Sequence, residues 1–116
     1  MKRFTRTMLV SCAVLSGLVG ADINPAFAQL TETFANPMIK GYRLDLCLHW
    51  GKECGQAAAE AWCGKKFGKA DGHVVAWKID PNIGASSPTY IMGDDTVCKE
   101  KFCDGFKSIT CEYSLD

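Results

Sequence analysis

The sequence has no C-x2-C and no H-x3-H pair, and its two histidines, His49 and His73, stand far apart. Structural zinc sites draw on closely paired Cys or His ligands, so no metal site is read here. Lys and Arg number 13, Asp and Glu 13, and without an excess of positive charge there is no electrostatic footprint for nucleic acid or an anionic membrane. The longest apolar run, Met8 to Ala21, falls short of the roughly 20 residues that a membrane span needs. Internal repeats and low-complexity blocks are missing too. No constellation of acids and bases is evident, so the chain is expected to be noncatalytic and to carry no cofactor.

What is present begins with an export pattern. Lys2, Arg3 and Arg6 precede the apolar run, and "NPAFAQ" follows it, with Ala26 and Ala28 in the small-x-small arrangement of a cleavage site. Residues 1–28 are therefore expected to be a cleavable signal peptide, with Gln29 as the first mature residue. "LVSC" at Leu9 to Cys12 looks like the box before a lipid-modified cysteine, but it lies too early, with almost no apolar run ahead of it. The mature chain of 88 residues carries ten Lys or Arg against twelve Asp or Glu. A chain of that size makes one thin-cored domain of the kind that commonly needs stapling. Its six cysteines, Cys47, Cys54, Cys63, Cys98, Cys103 and Cys111, are an even set and read as three disulfides formed in an oxidising compartment, secreted or periplasmic. With no thiol to spare, a Cys/His nucleophile is disfavoured.

The expected domain spans residues 42–116, with 29–41 as a flexible lead-in containing Asn36-Pro37. From Tyr42 to Trp50, apolar and polar residues alternate with the period of a strand. Gly55 to Phe67 is alanine-rich and reads as a helix with Ala58, Ala61, Trp62 and Lys65 on one stripe and Gly68 at its end. "HVVAWKID", "TYIM" and Phe106 to Tyr113 read as three further strands, His73 opening the first. The expected fold class is α+β: one helix packed on a small, mainly antiparallel sheet, disulfide-stapled. Six cysteines leave the connectivity open. The arrangement favoured by position is Cys98 with Cys103 across "CKEKFC", Cys63 with Cys111 where helix meets sheet, and Cys47 with Cys54 around His49 and Trp50.

The series Arg43, Leu44, Asp45, Cys47, Trp50, Gly51, Cys54, Gly55, Ala58 and Ala59, followed by "CDGFKSITC", resembles small secreted six-cysteine domains of no established activity. The resemblance implies export and disulfides and carries over no catalytic residue. Three function classes are weighed. A noncatalytic binding or envelope-associated module, its partner a glycan or a protein, is favoured by the plentiful aromatics Tyr42, Trp50, Trp62, Trp77, Tyr90 and Tyr113. Trp62 and Trp77 are expected in the core, whereas Trp50 and Tyr90, near element ends, are the candidate ligand-binding residues. The alternative is a secreted effector or inhibitor-like domain acting through the rigid loops Pro81 to Pro88 and Lys99 to Gly105. Less favoured is a small hydrolase using Asp94 and Asp95, or Asp45 with His49. The protein is expected to be a monomer.

Overall fold

The computed structural model describes residues 29–115; the expected signal peptide lies outside them. In chain order the elements are β1 (Gln29–Ala35), β2 (Met38–Ile39), β3 (Tyr42–Leu44), β4 (Cys47–His49), β5 (Lys52–Cys54), α1 (Gln56–Phe67), β6 (His73–Asp80), β7 (Thr89–Ile91), β8 (Thr96–Cys98) and β9 (Gly105–Ser114). A single 3-10 turn, Gly68–Ala70, extends α1.

Strand β9 organises the fold because Phe106, Ile109 and Cys111 are fully buried. It lies between β1 and β6 in an antiparallel three-stranded sheet, and α1 packs on that sheet. The helix forms from a run containing four alanines, which are the best helix formers and let a helix approach a sheet closely. Its buried stripe is Ala58, Ala59, Trp62 and Cys63, one step round from the stripe expected: Ala61 is half-buried and Lys65 exposed. Lys65 and Lys66 occupy the last turn, where positive charge complements the helix dipole. The Gly68 N–H closes the end on the Gly64 carbonyl, with the Gly68 backbone in the left-handed region at φ 52°.

A second sheet runs β2-β3-β7-β8, and β4-β5 is a separate hairpin. Only β3 and β7 pair in parallel, so the fold is the α+β arrangement of one helix on small, mostly antiparallel sheets. Arg43 on β3 clamps the two sheets, donating to the Asp80 carboxylate at 2.9 Å and to the Phe106 carbonyl at 2.7 Å. Three disulfides are present: Cys47–Cys54, Cys63–Cys111 and Cys98–Cys103.

Two expectations need correction. The segment 29–41 is not a loose lead-in, because β1 pairs with β9 along its whole length, from Gln29 opposite Ser114 to Ala35 opposite Ser108. Phe34 packs edge-on against Trp62, with ring centroids 5.1 Å apart. The two large apolar residues of β1, Leu30 and Phe34, stand four apart and leave no alternation to read, and its partner is the far end of the chain. Nor is Tyr42 to Trp50 one strand. It bends at Asp45 and Leu46, where the Asp45 N–H bonds to the Tyr90 carbonyl and the Leu46 N–H to the Asp104 carbonyl. Tyr90 is on β7 of the second sheet and Asp104 directly precedes β9 of the first, so the chain changes direction to satisfy both.

Candidate functional site

The hairpin β4-β5 turns through Trp50 and Gly51, with Gly51 supplying the left-handed backbone at φ 70° that the tight turn requires. Cys47 and Cys54 face each other at the open end of the hairpin, and their disulfide closes it behind Trp50. The turn carrying Trp50 is held from a second direction as well. Asp94 accepts the Trp50 N–H at 2.7 Å and meets His49 Nδ1 at 2.8 Å. The Asp94 carboxyl is consequently held below its usual range, first by the His49 hydrogen bond and then by the Trp50 N–H. Gly93 makes the docking possible: a Cβ there would come within 2.4 Å of the Leu48 carbonyl oxygen and 2.5 Å of the His49 ring.

Facing this hairpin is the loop closed by Cys98–Cys103. The Cys103 N–H bonds to the Glu100 carbonyl, which throws Phe102 outward at the tip of the turn. Behind it, the 81–88 loop is pressed in at Gly84, where a Cβ would lie 2.1 Å from the Glu100 carbonyl oxygen. Trp50 is 52 % exposed and Phe102 62 % exposed, yet both sit on backbone pinned by disulfides and hydrogen bonds. Between them opens a cleft of about 160 Å³, lined also by Asp45, Leu46, Gly51, Ile91, Asp104 and the sulfur-bearing side chains of Cys47, Cys98 and Cys103.

Asp45 is buried, its carboxylate accepting from the Thr89 hydroxyl and from the Cys47 N–H at 2.9 Å. Burial pushes its pKa up, the two hydrogen bonds oppose that rise, and the charge of Asp104 adds to it. Asp104 is half-buried and accepts the Asn82 N–H at 2.7 Å. Chemically, the cleft offers aromatic surface, apolar surface and negative charge.

Of the two aromatic residues expected to bind ligand, Trp50 is at this cleft and Tyr90 is not. Tyr90 is 7 % exposed; its ring stacks beside Tyr42, and its hydroxyl bonds to Asp95. The central position of β7 in its sheet, which the short "TYIM" segment does not reveal, buries it. Trp62 is a core residue as expected, whereas Trp77 is 37 % exposed, packing edge-on against Phe106 and bonding through its indole N–H to Gln56. Asp45 and His49 are not brought together: each has other partners. Asp94 and Asp95 likewise diverge, the first to His49 and the second to Tyr90 and Lys40. Phe102 and Asp104 lie in the Lys99 to Gly105 loop, which the sequence marks as a candidate binding loop without naming either residue. The available signal was a phenylalanine enclosed in "CKEKFC", a ring that so short a closed loop has no room to bury.

Among the described residues no group of His, Cys, Asp and Glu is arranged to hold a metal ion, and no helix is long and apolar enough to cross a membrane. Comparison with protein-family models, with curated proteins and with solved structures finds no match.

Proposed function

We propose that the protein is an exported, noncatalytic binding module whose ligand seats in the cleft between the two disulfide-closed loops. The observation that carries this reading is that Trp50 and Phe102, the aromatics at the cleft mouth, are both exposed although their backbones are fixed. Exposing large aromatic surface forgoes the roughly 1.5–3 kcal/mol that burying such a side chain contributes, and rigid aromatic anchors lose little conformational freedom on binding. Three disulfides in a thin-cored domain fit an oxidising, extracytoplasmic setting. The carboxylates considered for acid or base roles are each engaged in holding backbone or a neighbouring side chain in place.

The test is retention of the oxidised mature protein on glycans and on envelope fractions, with the wild type compared against Trp50→Ala. Binding that depends on Trp50 supports the module reading. Retention unchanged by Trp50→Ala, or turnover of a bound glycan, refutes it.

A further inference from the structure

We propose that the group seated in the cleft is an alkylated ammonium cation, of which the trimethylammonium end of a choline-like small molecule is the simplest form. This rests on the binding reading above and names its ligand class. Trp50 and Phe102, carried on separate loops, both line the cleft. Indole and phenyl faces attract a cation through the ring quadrupole, tryptophan most strongly.

Two carboxylate residues, Asp45 and Asp104, line the cleft as well. Their hydrogen-bond donors are the Thr89 hydroxyl and the backbone N–H groups of Cys47 and Asn82, all uncharged. Among the described residues neither carboxylate is in a salt bridge, and no Lys, Arg or His lines the cleft. An anion is therefore repelled there, and a cation is attracted by the aromatic residues and the carboxylates alike.

The remaining lining selects an alkylated cation over a bare one. Leu46, Ile91 and the sulfur-bearing side chains offer apolar contact and few free acceptors. A primary ammonium brings three N–H donors that each need a partner on leaving water. A quaternary ammonium has none, and its methyl groups suit sulfur and aliphatic neighbours. The cleft volume of about 160 Å³ gives room for a small head group.

The test titrates the oxidised mature protein with choline and with its neutral carbon isostere, in which a quaternary carbon replaces the nitrogen, following tryptophan fluorescence and amide chemical shifts. Choline should bind saturably, at least about tenfold tighter than the isostere, and lose about tenfold on Trp50→Ala and severalfold on Phe102→Ala. Asp104→Asn keeps an acceptor for the Asn82 N–H while removing the charge, and should weaken choline severalfold with the isostere unaffected. Equal binding of choline and isostere, or no choline binding, overturns the cation assignment. In that event, Trp50-dependent retention of a glycan or envelope component leaves the binding reading standing, while loss of both removes both.

Discussion

The two ends of the domain are built on different principles. At the α1 end, Cys63–Cys111 joins two fully buried residues 48 apart in sequence, surrounded by Phe106, Ile109, Ala59 and Trp62. At the cleft end, Cys47–Cys54 and Cys98–Cys103 close loops of sequence separation 7 and 5, and the large side chains at their tips point into solvent. The first bridge reinforces a core. Cys98–Cys103 is buried with Ile91 in a second, much smaller apolar cluster, and Cys47–Cys54 lies near the surface. Rigidity at a surface site is thus had with little depth, because covalent bonds and backbone hydrogen bonds supplement the packing.

Breaking each end should separate stability from binding. Replacing Cys63 and Cys111 together by Ala should cost about 4 kcal/mol by the chain-entropy estimate for a loop of this separation. That is close to the whole stability of a domain this small, so urea denaturation should find the variant largely unfolded. Replacing Cys47 and Cys54 by Ala should cost only about 2 kcal/mol, leaving a folded domain by circular dichroism but one whose ligand retention is lost. Gly93→Ala attacks the same end without touching a disulfide. Its Cβ collides with the Leu48 carbonyl and the His49 ring, at a cost of about 1–3 kcal/mol, and amide exchange at Trp50 should rise as Asp94 is displaced. Trp50→Ala should leave the unfolding free energy from urea titration within about 0.5 kcal/mol of wild type, because the ring is half in solvent.

The smallest effect expected belongs to the pair that ties α1 to β6. Glu60 accepts the Val74 N–H at 2.7 Å and bonds His73 Nδ1 at 2.6 Å. The hydrogen bond to Glu60 and the charge of Asp71 raise the His73 pKa above its ordinary 6.5, while the bonds from His73 and Val74 lower that of Glu60 below its ordinary 4.5. The carboxylate contribution is therefore present above about pH 4.5 and lost as pH falls through the lowered value. The imidazolium contribution is present below about pH 6.5 and lost as pH rises through the raised one. The two coincide between those limits. Glu60→Gln should return the His73 titration toward the ordinary value in an NMR pH series; an unchanged midpoint would mean that Asp71 alone sets it.

Local chemistry was enough to place α1, β6, β7 and β9, because alanine content, β-branched and aromatic runs and the turn residues around them act over a few neighbours. The cysteine pairing favoured by position agrees with the three bridges, but six cysteines allow fifteen connectivities, and the tertiary structure decided among them. The exposure of Trp50 was legible from its place at an element end, beside the turn residue Gly51. The rest depended on distant partners. Whether 29–35 becomes a strand is decided by β9, about eighty residues away. Whether Tyr90 is buried is decided by the strands that flank β7. Phe102 and Asp104 join Trp50 and Asp45 only because backbone bonds between Leu46 and Asp104, and between Asp45 and Tyr90, draw separate sheets to one bend. Hydrogen-bond satisfaction across the whole chain chose those contacts, and no local pattern encodes them.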